Sequence, residues 1–244
     1  MQSRRIKDGL INLALRAGFA VSKAPAPCWV ESHLRDIVRL LDVTVALDVG
    51  ANVGEYAHRL RRLSRFGGRI VSFEPEPRSM QHARRRMEGD GMWTGVQLAL
   101  GREPGHQVLN VHSRSLFSSF LEMNEYGVGE YGGSIERRED VEVARLDDVA
   151  GQYLSPEDRA LLKIDTQGYD IEVIEGGRKT IAENVVALQV EVPIRNIYEG
   201  APTLAGMVDL VDELGFDITW ISPFSRRPDL RLVECDFVAR RRET

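Results

Sequence analysis

The sequence predicts an α/β fold: a doubly wound, mostly parallel sheet with N-terminal helices before it and a C-terminal antiparallel hairpin closing it. Three observations carry this expectation. From residue 43 onward, short apolar runs alternate with amphipathic stretches of helical period, the pattern of repeated β-α-β units. Residues 43–49 (VTVALDV) are nearly continuously apolar and run into glycine, as a strand covered on both faces does. The last apolar stretches, 216–221 and 230–239, follow a helical segment and read as a hairpin that adds one antiparallel strand.

The elements follow in order. Residues 1–21 read as an amphipathic helix, with Ile6, Leu10, Leu13 and Ala17 at helical spacing behind basic residues. Packing on the domain edge is the simpler use of it; resting on a membrane surface, or covering an acceptor pocket, is the sharper one. The prolines of 23–27 make a stiff connector. A helix at 30–41 places Leu34, Ile37, Val38 and Leu41 on one face. This divides the chain into a helical extension, 1–42, and a principal domain, 43–244. Within the domain, strands are expected at 43–49, 69–73, 95–100, 160–165 and 185–192. Helices are expected at 54–64, 78–87, 170–182 and 203–214. Two polar-flanked strands, 106–112 and 141–146, enclose a Gly-, Ser- and Glu-rich segment, 113–140. A connection that long serves as a lid or a binding segment.

Composition narrows the class. The chain has 244 residues, enough for one large α/β domain with short appendages, and its 43% apolar and 28% charged residues are those of a soluble globular protein. A net charge of −5 is a poor basis for nucleic-acid binding. The two cysteines, Cys28 and Cys235, lack a CxxC partner, which argues against a disulfide framework or a cysteine zinc site and for a reducing, cytoplasmic setting. No stretch is long enough to span a bilayer: 10–21 has about half the required length and contains Asn12 and Arg16. A signal-peptide cleavage pattern is not evident either.

The strongest local signal is Leu47-Asp48-Val49-Gly50-Ala51-Asn52-Val53-Gly54-Glu55-Tyr56, directly after a strand and opening a helix. Gly50 and Gly54 let the backbone turn tightly and approach a ligand, and the helix start offers unpaired N–H groups to an anion. About 20 residues beyond Gly54, Glu74 stands at the tip of the next strand, where a carboxylate accepts ribose hydroxyls. A dinucleotide site prefers G-x-G-x-x-G. The acidic Asp48 at this strand end suits a cationic ligand, so S-adenosylmethionine, with its sulfonium and amino group, matches better than NAD. In the bland alternative Asp48 caps the turn and the glycines only shape it.

The ordered set of Leu47 to Tyr56, Phe73-Glu74-Pro75-Glu76-Pro77, Ser118-Ser119, Leu146-Asp147-Asp148 and Leu162-Lys163-Ile164-Asp165-Thr166-Gln167-Gly168-Tyr169-Asp170 resembles the FkbM family of S-adenosylmethionine-dependent methyltransferases. The resemblance spans roughly 43–192. It departs at Gln167 and Asp170, where many members carry Glu-Gly-x-Glu. It implies a class I methyltransferase (Rossmann-like) fold with a seven-stranded sheet, and O-methylation of sugar or natural-product hydroxyls. The expected donor-binding set is Asp48, Gly50, Ala51, Asn52, Gly54, Tyr56, Glu74, Pro75 and Asp165.

Ligands of open α/β sheets bind beyond the carboxyl ends of the strands, which collects Asp48, Glu74, Asp165 and Glu191 at one crevice. In the implied strand order the strands ending at Asp165 and Glu191 are neighbours, so their carboxylates approach. Asp165 is the first candidate to contact the acceptor hydroxyl, as base or as a metal ligand with Glu191. His112, at a strand end, is the second candidate base. Against these stand structural uses. Asp165 could cap the turn into the next helix or bind the donor's amino group, and Glu191 could pair with Arg195 or Lys163. Lys163 shares a strand face with Asp165 and suits an ion pair with it. Ser118 and Ser119 could contact a ligand or start a helix. No ligand signature requires a divalent metal, and a metal role is left open.

The expected activity is methyl transfer from S-adenosylmethionine to a hydroxyl of a sugar, glycolipid or other small metabolite. The rivals are a nicotinamide-dependent oxidoreductase and a non-catalytic binding protein on the same scaffold. The expected partner is a small-molecule or glycan acceptor; peripheral membrane contact through 1–21 is left open. The sequence does not fix the oligomeric state.

Overall fold

The computed structural model describes residues 30–226 and 230–242. The helix expected at 1–21, the connector after it and Cys28 lie outside them. The first element is α1, Val30–Leu40, and the sheet begins with β1, Val45–Val49. There follow α2 (Glu55–Arg62), β2 (Arg69–Phe73), α3 (Pro77–Arg86), β3 (Trp93–Val96), β4 (Ala99–Leu100) and β5 (Gly105–His112). A 3-10 turn at Ser115–Phe117 and α4 (Glu125–Tyr131) lead to β6 (Ile135–Ala144) and α5 (Leu146–Val149). Next are β7 (Ala160–Ile164), α6 (Asp170–Gly176), α7 (Arg178–Asn184), β8 (Val185–Pro193) and α8 (Leu204–Glu213). The hairpin β9 (Phe216–Arg226) and β10 (Leu232–Arg241) ends the fold.

Seven strands form the main sheet in the order β3-β2-β1-β7-β8-β10-β9. All neighbours run parallel except at β10, which is antiparallel to both β8 and β9. The sequence expectation of a mostly parallel sheet with one antiparallel strand is met. The central strands β1 and β7 are buried at every residue, which explains their unbroken apolar runs. Alternate residues feed two layers. Val45, Leu47 and Val49 join Leu146, Val173, Ile181, Met207 and Phe237 on one face. Ala46 faces Leu34 and Ile37 of α1 and Leu60 of α2 on the other. α1 is thus part of the core under the sheet, fastened by an ion pair of the buried Glu31 with the half-exposed Arg59.

Three elements differ from expectation. The strand expected at 95–100 is split: β3 stays in the main sheet, while β4 pairs with β6 in a separate three-stranded sheet, β4-β6-β5. Because β6 starts at Ile135, the long polar segment shrinks to residues 113–134. The helix expected at 170–182 is two helices broken at a glycine pair. A Cβ on Gly176 would lie 1.9 Å from the carbonyl oxygen of Gly101, and one on Gly177 2.9 Å from the Leu146 side chain. The close packing of α6 on the end of β4 needs Gly176, and Gly177 gives room to Leu146 of α5.

Strand order reverses between β1 and β7, so a crevice opens where their carboxyl ends diverge. The loops after β1, β2, β7 and β8 all meet there.

Candidate active site

The turn after β1 is moulded by its neighbours. Gly50 has φ +75°, and an added Cβ would lie 1.9 Å from the Asp165 carbonyl oxygen, so only glycine lets the two loops touch. The amides of Gly50 and Ala51 both donate to the Phe73 carbonyl, each at 3.0 Å. Asn52, at φ +45°, turns its amide onto Glu74 Oε2 at 2.7 Å, and Glu76 donates its amide to Glu74 Oε1 at 2.9 Å. Two backbone donors therefore aim the Glu74 carboxylate, and each oxygen keeps capacity for a further donor. Burial, reinforced by the Glu76 charge, outweighs those bonds and pushes the Glu74 pKa up to about 7. Gly54 starts α2 at φ +75°, and its missing Cβ leaves room for Ala83 of α3 at 3.0 Å.

A cavity of about 450 Å³ opens beside this turn. Gly50, Ala51, Asn52, Tyr56, Glu74 and Pro75 line it, as do Asp165 and Glu191. The structure thus gathers eight of the expected residues around one cavity. Asn52 Oδ1 is buried there without a hydrogen-bond donor, which a ligand amine or hydroxyl would supply. The orphaned acceptor, the doubly aimed carboxylate and the glycine turn fit a nucleoside with a polar tail.

Asp48, expected to meet the donor's positive charge directly, lies instead beneath the wall and is fully buried. In sheet register it stands between Ser72 of β2 and Lys163 of β7. Ser72 donates to it at 2.9 Å and the Lys163 ammonium lies 3.1 Å away. Lys163 Nζ also donates to the carbonyls of Gly50 and Val49 and sits 3.6 Å from Asp165. Burial alone would lower the Lys163 pKa; Asp48 and Asp165 outweigh it and hold the group well above its usual range. Tyr56 reaches over this pair to donate to Gln189 Oε1 at 2.9 Å.

The opposite wall is acidic. Gln167 Nε2 donates to Asp165 Oδ1 at 2.8 Å and approaches Glu191 Oε1 at 3.4 Å, so one amide bridges the two expected carboxylates. Gln167 reaches this position from a left-handed backbone, φ +54°. Tyr198 donates toward its Oε1 at 3.1 Å and lies 3.0 Å from the Phe117 carbonyl. The cap of the following turn is Asp170, not Asp165: it accepts from the amides of Thr166 and Gly168 and from the Thr166 hydroxyl. Glu191 faces Asp236 across the antiparallel β8–β10 pair. Burial, then Asp165, Glu234 and Asp236, push the Glu191 pKa well up. Asp236 is raised to about 6, first by burial. Arg195, a possible partner for Glu191, lies over the Tyr126 ring instead.

His112 is corrected. It ends β5, outside the main sheet, and is not a cavity-lining residue. Its Nδ1 accepts from the Arg114 amide at 3.2 Å and its ring packs edge-on against Phe117. Ser118 braces that strand by accepting from the His112 amide, and Ser119 donates to the Gln167 carbonyl at 2.8 Å. Sequence reasoning missed Gln189, Glu234 and Asp236 on the cavity wall. The i, i+2 spacing of the last two on a strand was the available signal. Among the described residues, no group of three or more His, Cys, Asp or Glu side chains is arranged to hold a metal ion. No helix among them is long and apolar enough to cross a membrane.

The sheet order, the switch-point turn and the carboxylate after β2 define a class I methyltransferase fold with a nucleoside site. Residues 48–218 match the methyltransferase FkbM domain, and the chain belongs to the FkbM family of S-adenosylmethionine-dependent methyltransferases. Among solved structures it resembles a candidate O-methyltransferase from Klebsiella pneumoniae, 12% identical, covering 97% of this chain and 89% of that one with a TM-score of 0.50. It also resembles the magnesium protoporphyrin IX methyltransferase of Synechocystis PCC 6803 with bound S-adenosylmethionine, 11% identical over 87% and 80% of the chains, TM-score 0.47. At such identity the first likeness speaks for the fold alone. No curated protein sequence matches the chain significantly. Family membership decides for the methyl donor and against a nicotinamide.

Proposed function

We propose that this methyltransferase acts on a hydroxyl oxygen of a sugar, a glycolipid headgroup or another small polar metabolite. The observation that carries the reading is Asp165, on the cavity wall, its carboxylate held by the Gln167 amide beside Glu191. When bound, S-adenosylmethionine supplies an electrophilic methyl group and leaves as a neutral thioether. An aliphatic hydroxyl attacks it poorly while it keeps its proton. Asp165 accepts that proton as the new C–O bond forms. Glu191, whose pKa is raised by burial and by the neighbouring carboxylates, stands beside Asp165 on the Gln167 amide and orients the acceptor oxygen. Gln189, Glu234, Asp236 and Tyr131 give the cavity further polar groups, which suit a polyhydroxylated acceptor. Leu98, Leu100, Leu116, Phe117 and Phe120 line it too and exclude water. Holding acceptor and donor in line contributes about 7–11 kcal/mol.

In this reading Glu74 accepts the ribose hydroxyls, the turn of Gly50, Ala51, Asn52 and Gly54 with Pro75 frames the nucleoside, and Tyr56 and Asp48 support the turn from below. The buried free thiol of Cys235 accords with a reducing compartment, the cytoplasm, as the place of action. The test is incubation of cell extracts with isotope-labelled S-adenosylmethionine, followed by mass spectrometry for new methylated sugars or lipids. Asp165→Asn should bind S-adenosylhomocysteine within about threefold of wild type and lose at least 100-fold in transfer, the range of a general base. Labelled protein or RNA, or full activity in Asp165→Asn, would sink the reading.

A further inference from the structure

The proposed chemistry leaves one buried cation on the cavity wall without a task. Lys163 stands on β7 beside β1, its side chain 8% exposed, and reaches under the turn that follows β1. Its ammonium donates to the carbonyls of Gly50 at 2.9 Å and Val49 at 3.3 Å. It lies 3.1 Å from Asp48, 3.6 Å from Asp165 and 5.3 Å from the centre of the Tyr56 ring. One group thus touches the backbone of the turn, the carboxylate below it and the carboxylate on the cavity wall.

Two physical consequences follow. Charge-assisted bonds to successive carbonyls fix the peptide planes of residues 49 and 50, and so the direction in which the next amides point. The second consequence concerns charge. The methyl donor carries a sulfonium and its product a neutral thioether, so the two ligands differ by one positive charge. In a desolvated cavity a charge acts over several ångströms with little screening. The balance of Asp48 and Asp165 against Lys163 therefore enters the affinity for one ligand and not the other.

We propose that Lys163 is the positioning residue of the donor turn and sets how strongly the site distinguishes sulfonium from thioether. The inference rests on reading residues 48–54 as the donor site. The test is calorimetric titration of the full chain with S-adenosylmethionine and S-adenosylhomocysteine separately. In Lys163→Met, affinity for the thioether should fall at least tenfold and affinity for the sulfonium no more than threefold, because the unbalanced carboxylates attract the cation. Asp48→Asn removes a negative charge and should move the ratio at least twofold the other way. Mere loosening of the turn weakens both ligands equally. Equal loss in both variants, or unchanged binding of both ligands, overturns the inference. Should Lys163→Met fail to fold, Asp48→Asn decides alone: a shift toward the thioether supports the role and no shift overturns it. Glu74→Ala separates the two readings. If it binds like wild type, the donor site lies elsewhere and both fall. If it loses binding while neither charge variant moves the ratio, only the role of Lys163 falls.

Discussion

Glu74 owes its pKa of about 7 to burial, which two backbone amides only partly offset. Hydroxyl donors favour its ionised form, so a nucleoside that binds there releases a proton. Affinity for S-adenosylhomocysteine should then rise about fivefold from pH 6 to 8, and Glu74→Gln should flatten the profile; calorimetry in buffers of different ionisation enthalpy would show the released proton. Glu74, Asp165 and Glu191 were legible in the sequence because each follows or ends a strand of the parallel sheet, where the strand-end rule applies. The same rule misplaced His112, because β5 belongs to the other sheet. Gln167 was visible only as a departure from a motif. Its bridging role depends on a left-handed turn that places its amide between two carboxylates, and local sequence does not announce that turn.

At the scale of elements, apolar period revealed the buried strands and the hairpin, since each is a local pattern. The pairing of β4, β5 and β6 into a second sheet was not legible, because strand partners are chosen by contacts distant in sequence. The break between α6 and α7 was likewise hidden: two glycines inside an apolar period read as tolerated, and what they meet, the backbone of Gly101 at Gly176 and the Leu146 side chain at Gly177, is distant in sequence. Two glycines can be told apart by experiment. Gly176→Ala forces a Cβ onto that carbonyl and should destabilise by about 2 kcal/mol or more, lowering Tm by roughly 4–8 °C while the folded protein still binds S-adenosylhomocysteine normally. Gly50→Ala meets the Asp165 carbonyl at φ +75° and should lower both Tm and affinity. Thermal melts with and without ligand distinguish the two.

Over the whole molecule, one wall of carboxylates collects at the carboxyl ends of β7 and β8 and at the start of β10, which runs antiparallel to β8. Asp236 titrates at about 6 in the fold against an ordinary 3.8, so the folded chain holds its proton longer than the unfolded one. That contribution is favourable below about pH 4 and is lost as pH rises through 6. Asp236→Asn should therefore raise Tm by several degrees at pH 8 and leave it near wild type at pH 4, as scanning calorimetry can show. The roof of the cavity is tied to the same wall: Ser119 bonds the Gln167 carbonyl, and the Tyr198 hydroxyl lies between Phe117 and the Gln167 side chain. Segment 113–134 is thereby bonded to Gln167, the residue whose side-chain amide steadies Asp165. If Asp165 takes the proton, as proposed, the contacts that cover the cavity are also those that aim it, and an uncovered site would leave the methyl group unspent on stray solvent.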